Sequence, residues 1–309
     1  MDNNKGPHSR SYSTGAMQMV LAMILSGTLG FFVFESGQNI WNIVFFRCLF
    51  GAISLVFYCW VAGLLKKNPF NKASFLIALG GGVAIVSNWV LLFSSYKYAS
   101  ISIATAVYHT QPFFLIIFGL VFFGERPSLS KILWFITAFL GLLFVIHIDI
   151  SGLTFSSTYV LGLLLALGAA VLYAVATIAT KRLIGIPPHL IALTQVSLGV
   201  FLLLPFARFE EVSLIGPHWK YLIALGVIHT CIMYILMYSA FQKLPTTAIA
   251  VLSFIYPAIA ILVDYLFYDQ NLTETQIAGI LLILLGGAGV NLNWSILPSR
   301  FFQLKKSNK

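Results

Sequence analysis

Four ionisable side chains stand inside long apolar runs: Arg47, His109, His229 and Asp264. A charge in such surroundings is costly, so each one needs a partner, a route to water or a task. Arg47 lies about two turns into its run, roughly 10 Å along a helix axis. It either pairs with Glu35 at the end of the preceding run or offers a counter-charge to a substrate carboxylate. His109 belongs to Tyr108-His109-Thr110-Gln111-Pro112, the densest polar cluster in any apolar run. An imidazole there switches charge near neutral pH and suits coupling to protons; the alternative is a neutral ring bonded to a neighbouring helix. Pro112 cannot donate a backbone hydrogen bond and frees a carbonyl one turn earlier, which predicts a bend. His229 is read as lining a pathway, His147 as interfacial and Asp264 as solvated near a helix end.

The elements that must hold these residues follow from composition. With 59% hydrophobic and 9% charged residues, the chain has too little polar surface for a soluble enzyme, a nucleic-acid reader or a disordered scaffold. The 18 Lys and Arg against 9 Asp and Glu are scattered through loops rather than gathered in a patch, so no nucleic-acid partner is expected. Cys48, Cys59 and Cys231 lie within apolar runs, without disulfide or metal-ligand spacing, and no metal or cofactor is expected. The polar first 15 residues argue against a cleaved signal peptide.

A span needs about 20 apolar residues, and ten such runs fit, near 16–34, 41–65, 73–96, 100–123, 130–148, 159–180, 187–207, 220–242, 245–268 and 275–296. Lys66-Lys67-Asn68-Pro69, Gly124 to Pro127, and Pro187-Pro188 mark joints. The expected fold is an all-α integral membrane protein with ten transmembrane helices. Of the 18 Lys and Arg, 14 fall on the side that holds the N-terminus. By the tendency of positive residues to stay inside, both tails, 1–15 and 297–309, are expected in the cytoplasm.

A shift of 145 residues aligns Leu91 with Leu236, Ser94 with Ser239, Pro112 with Pro257, Phe122 with Phe267 and Gly141 with Gly286. The halves, 16–148 and 159–296, each hold five helices, an odd number, so equivalent helices cross in opposite senses. Two inverted five-helix repeats are the plan of many secondary transporters, with substrate at the midplane between the halves. The shift sets Ser253, Phe254 and Tyr256, just before Pro257, opposite Tyr108, His109 and Gln111. With Asn88, Trp89 and Tyr173, these predict a mixed polar and aromatic pocket for an amphiphilic small molecule. Glu125 is expected to cap its helix or pair with Arg126 or Lys131. Gly162, Ala166, Ala170 and Ala174 form a packing stripe. Gly279, Gly286, Gly287 and Gly289 serve either dimerisation or internal packing, leaving monomer or homodimer open. Asn271-Leu272-Thr273 matches a glycosylation acceptor weakly.

The run Ser94-Ser95-Tyr96-Lys97-Tyr98-Ala99 through Ala104 to Pro112, then Phe123-Gly124-Glu125-Arg126-Pro127, Gly141, and Phe45-Phe46-Arg47, resembles the drug/metabolite transporter superfamily, specifically its EamA-type members. Asp269-Gln270 stands where the second half would repeat Gly-Glu, and Gln195 where an arginine would mirror Arg47. The resemblance implies a ten-helix transporter with both termini inside, in bacteria an inner-membrane exporter of amino acids or related metabolites. Import of a cofactor-like or nucleotide-like solute and multidrug efflux are the alternatives within transport. A membrane-embedded transferase finds no support: the sequence has no His-Glu-x-x-His, Gly-x-Ser-x-Gly or phosphate-binding Gly-rich Lys-Ser loop.

Overall fold

The computed structural model describes residues 7–66, 69–95, 98–99, 104, 107–145, 157–213, 215–268 and 273–295. The expectations for Lys67, Asn68, Tyr96, Lys97, His147, positions 269 to 272 and the tail 297–309 lie outside the described residues, as does the side chain of Asp264.

All regular elements among the described residues are helical. In chain order they are α1 Pro7–Ser36, α2 Ile40–Val61, α3 Lys72–Ser95, α4 Gln111–Phe123, α5 Leu129–Val145, α6 Ser157–Arg182, α7 Pro188–Leu203, α8 His218–Lys243, α9 Thr246–Tyr268 and α10 Glu274–Asn291. Eight are long and apolar enough to cross a membrane, while α4 and α5 are shorter apolar helices. Their outer faces carry large exposed side chains such as Trp60, Leu164, Phe201 and Leu281. Water would not tolerate so continuous an apolar coat, and lipid does.

Two boundaries depart from the pattern reading. α1 starts at Pro7 rather than near 16, because a proline at the first helical position presets φ and forfeits no hydrogen bond. Residues 7 to 15, expected in a tail, are therefore helical. α2 ends at Val61 rather than near 65, because Gly63 takes a φ of +67° and Leu64–Lys66 form a tight turn.

The proline bends appear, and they match. Ala104, Val107 and Tyr108 are helical, His109 and Thr110 form a turn, and α4 is regular only from Gln111. In α9, Thr246–Leu252 and Ile255–Tyr268 are separated by a turn at Ser253 and Phe254. Both breaks fall where the carbonyl four residues before Pro112 or Pro257 loses its donor. α8 is interrupted differently, by a π-helical stretch over Val227–Ile232.

Packing pairs equivalent helices: α5 with α10, α2 with α7, and α4 with α9. Further neighbours include matched sets, α3 with α6 and α8 with α1, then α2 with α8 and α7 with α3. The α5–α10 seam is close enough for backbones to touch. A Cβ on Gly141 would stand 2.6 Å from Gly279 O, and one on Gly286 would stand 2.8 Å from Trp134 O. The helices therefore run antiparallel along this seam. The shift of 145 carries Trp134 to Gly279 and Gly141 to Gly286, exchanging the two contacts. Gly289 closes on the Trp134 ring, so the helix-ten glycines Gly279, Gly286 and Gly289 serve internal packing. Gly162 and Ala166 receive the chain at Ala99 and Ala104.

Candidate functional site

Arg47 is 3% exposed on α2, and what seats it is the π-helical stretch of α8. Widening a helical turn leaves carbonyls without their usual amide donors. Arg47 Nη2 donates to His229 O at 3.1 Å, and its Nε donates to Thr230 Oγ1 at 3.0 Å. Thr230 Oγ1 in turn donates to Leu225 O at 2.9 Å, so the hydroxyl is oriented to accept from the guanidinium. Two glycines permit the approach: a Cβ on Gly226 would fall 2.2 Å from Phe50 Cβ, and one on Gly51 would fall 2.5 Å from Thr230 Cγ2.

The guanidinium lies over aromatic faces, with Cζ 4.3 Å from the Trp89 ring centroid and 5.8 Å from that of Tyr234. Trp89 and Tyr234 meet edge to face. The expected ion pair with Glu35 does not form, since Arg47 turns toward α8 and away from the end of α1. Glu35 instead accepts from Tyr268 OH at 3.3 Å and Tyr221 OH at 3.4 Å. Among the described residues no carboxylate pairs with Arg47. A buried cation is thus held by neutral acceptors and π faces alone.

Asn88 on α3 donates to Ala169 O at 2.7 Å and to Tyr108 OH at 3.4 Å. Tyr108 meets the edge of Tyr173, whose hydroxyl reaches Met237 Sδ at 3.6 Å. The His109 ring lies 5.2 Å from that of Tyr256. Three buried atoms in this region, Asn88 Oδ1, His109 Nε2 and Gln111 Oε1, have no hydrogen-bond partner. Buried polar atoms are nearly always bonded, and leaving one unmet costs about 1–3 kcal/mol. Such a cluster suits a ligand that supplies the missing bonds.

Arg47 with Trp89, Asn88 with Tyr108 and Tyr173, and His109 with Tyr256 form three contact groups; the Tyr108 and His109 rings, 5.9 Å apart, join the last two, and the chain neighbours Asn88 and Trp89 lead to the first. Two expected members are otherwise engaged. Ser253 Oγ donates to Ala250 O at 2.7 Å, so its hydroxyl is spent within its own helix. His229 turns to α1, with Nε2 2.9 Å from Thr28 Oγ1 and its ring against Phe32; its backbone carbonyl, not its imidazole, serves the site. Pro112 and Pro257 mark the breaks in the helices that carry His109 and Tyr256.

Sequence reasoning missed Thr230, Tyr234, Met237 and the buried bond from Tyr238 OH to Gln195 Oε1. Tyr234 was within reach, because the shift of 145 carries Trp89 onto it. Glu125 was assigned the wrong cation: it pairs with Lys181 rather than Arg126 or Lys131. Arg126 is exposed and Lys131 is half-buried on α5, whereas Lys181 is buried beside Glu125.

No group of His, Cys, Asp or Glu that would hold a metal occurs among the described residues. The geometry is that of a polar and aromatic cluster buried between packed helices.

Comparison with known proteins agrees. The model of the EamA-like transporter family matches residues 13–147 and again 160–292. An uncharacterised transporter of Bacillus subtilis (strain 168) is 32% identical over 290 residues, covering 93% of both chains. The threonine/homoserine exporter RhtA of Salmonella typhimurium is 26% identical over 253 residues, 80% of each chain. A solved crystal structure, 20% identical, superimposes with a TM-score of 0.80 over 92% of this chain and 98% of that one, and so shares the fold. This chain belongs to the EamA-like transporter family, within the drug/metabolite transporter superfamily, and is an integral membrane transporter of small molecules.

Proposed function

We propose that the protein exports a small carboxylate-bearing metabolite, an amino acid or a close relative, by alternating access across a bacterial inner membrane. The observation that carries this reading is Arg47, a buried guanidinium without a carboxylate partner among the described residues, laid against Trp89. An incoming carboxylate would supply the charge that the protein does not, and a guanidinium matches it in a planar, two-bond geometry. The ammonium end of the same solute suits the Tyr108, Tyr173 and Tyr256 rings and the acceptors Asn88 Oδ1 and Gln111 Oε1. RhtA, named for threonine and homoserine export, supports an amino-acid substrate and the outward direction.

The framework is read as ten spans in two inverted halves, 16–148 and 159–296, with both termini in the cytoplasm. The antiparallel α5–α10 seam supports it, as do the matched breaks before Pro112 and Pro257, since an inverted repeat puts equivalent helices in opposite senses. Transport is then a rocking of the halves about the Arg47 site. His109, buried against Tyr256 with Nε2 unbonded, is the group proposed to couple protons to that motion.

The test is counterflow in proteoliposomes preloaded with unlabelled threonine or homoserine, alongside uncharged amide analogues and nucleosides. Saturable exchange of free acids, with amides inert, is expected. Exchange of amides as fast as acids would overturn the assignment of Arg47, and exchange of nucleosides alone would overturn the substrate class.

A further inference from the structure

Away from the Arg47 site, one ionic cluster joins the two halves. Glu125 Oε1 lies 3.1 Å from Lys181 Nζ, with the two side chains only 20% and 10% exposed. Its other oxygen, Oε2, accepts from Thr246 N at 2.7 Å and from Thr246 Oγ1 at 2.6 Å. Lys181 Nζ also donates to Leu244 O and lies 5.3 Å from the Phe123 ring centroid. One carboxylate thus ties the end of α4 to the end of α6 and to the first turn of α9.

The local sequence places it there. Gly124 closes α4 with φ +62°, and the Glu125 amide folds back to Gly119 O at 3.1 Å, setting the carboxylate against α9. Gly119 itself has no room for a side chain, since a Cβ there would fall 1.9 Å from Thr246 Oγ1. Pro245, which has no amide to satisfy, leaves the Thr246 amide as a free donor at the helix start.

The equivalent positions in the other half carry no charge. The shift of 145 carries Glu125 onto Gln270 and Lys181 onto Ser36, a neutral pair. Ser36 Oγ is used within its own helix, donating to Val33 O at 2.7 Å. A carrier whose halves exchange roles would have like seals at both ends; here the Glu125–Lys181 pair is mostly buried, whereas the Arg208–Glu211 pair at the other end is exposed. Breaking it costs an ion pair and two charge-assisted hydrogen bonds in a mostly buried setting, where such bonds are stronger than at the surface.

We infer that Glu125, Lys181 and Thr246 form a latch that holds the carrier closed on this face, the cytoplasmic one in the reading above, and must open in each transport cycle. The latch rests on the alternating-access reading but not on the identity of the substrate. It biases the resting protein toward the state open to the opposite face, because its mostly buried ion pair and hydrogen bonds form only when this face is closed. Glu125 and Lys181 act here on the path rather than on the substrate.

The experiment reads accessibility rather than transport, so a wrong substrate cannot disguise a wrong latch. Thr247→Cys places a reporter behind the latch, at a site 4% exposed. In inside-out membrane vesicles carrying the full chain, its rate of modification by a membrane-impermeant thiol reagent is measured. Glu125→Gln and Lys181→Met should each raise that rate at least about fivefold, and the exchanged pair Glu125→Lys with Lys181→Glu, which restores the ion pair but not the bonds to Thr246 and Leu244, should bring it part of the way back, below either single variant. Unchanged rates in well-folded single variants would overturn the latch. So would equal acceleration in right-side-out vesicles, which reports loosening of the whole bundle. The exchanged pair is the safeguard where a single variant folds poorly, and its failure to slow labelling counts against the latch as well.

Discussion

Trp89 and Tyr234 meet edge to face with ring centroids 5.9 Å apart, and each stands where the other would after a shift of 145 residues. Equivalent residues of two repeats can touch each other only near the axis that relates the repeats. In the proposed inverted repeat, this contact puts the axis beside Arg47, whose Cζ lies 4.3 Å and 5.8 Å from the two rings. A site on such an axis faces both halves at once, as alternating access requires.

Arg47→Lys should therefore impair transport more than folding. Lysine keeps the charge but loses the planar fork that bonds His229 O and Thr230 Oγ1 and the flat contact with Trp89. A loss of about 1–2 kcal/mol in cation–π and hydrogen-bond energy corresponds to a drop of about tenfold or more in exchange at low substrate concentration. Initial rates in proteoliposomes, normalised to reconstituted protein, measure this. A variant that fails to reach the membrane would assign Arg47 to assembly instead.

Much of this arrangement was legible in the chain. Apolar runs and turn residues located the helices, and Pro112 and Pro257 announced the two breaks. The shift of 145 was enough to pair Gly141 with Gly286. What stayed hidden were partners far apart in sequence. Arg47 bonds residues 182 and 183 positions away, through a π-helical stretch that Val227–Ile232 does not advertise by composition. Glu35 is nearer in the chain and carries the opposite charge, yet α1 directs it to Tyr221 and Tyr268. Glu125 shows the same failure: its loop neighbour Arg126 is exposed, and the cation that pairs with it stands near the end of a helix of the other half.

The α5–α10 seam makes a prediction about stability. Gly141→Ala would press a methyl against Gly279 O at 2.6 Å and Ile283 N at 2.9 Å, both backbone atoms with no rotamer to yield. Overpacking of this kind costs about 1–3 kcal/mol. Gly80→Ala, with nothing within 4 Å of the new Cβ, serves as the control and should leave unfolding unchanged or slightly favour the folded state. Thermal unfolding of the two variants in one detergent decides it, and equal midpoints would refute the close seam.

At the opposite end from the latch, Glu211 accepts from Arg208 Nη1 at 3.0 Å and from Asn39. The Arg208 bond, and then the Asn39 bond, hold the Glu211 carboxyl below its ordinary value. A depressed carboxylate stabilises the fold at pH above its unfolded value and loses that contribution as pH falls through the folded one. The group is exposed, so the effect is small and screened by salt. Between pH 6 and acid, the wild type should lose slightly more thermal stability than Glu211→Gln, and the difference should shrink in concentrated salt. A difference that persists in salt would mean that Glu211 has a buried partner.

His109 separates packing from chemistry. Its ring lies against Tyr256, a contact that phenylalanine would keep, whereas Nε2 is buried without a partner, a feature that only a nitrogen-bearing or amide side chain would imitate. If the ring merely packs, His109→Phe is the mild variant and His109→Gln the harmful one. The proposed role reverses that order: the Phe variant should fold normally and lose transport by about a hundredfold, the lower end of what a proton-transfer group contributes, while the Gln variant keeps part of its exchange rate. Because glutamine hydrogen-bonds but cannot titrate, its remaining exchange should no longer respond to an imposed pH gradient. Exchange and gradient response measured on the same vesicles distinguish the cases, and a Gln variant that still follows the gradient would remove His109 from proton coupling.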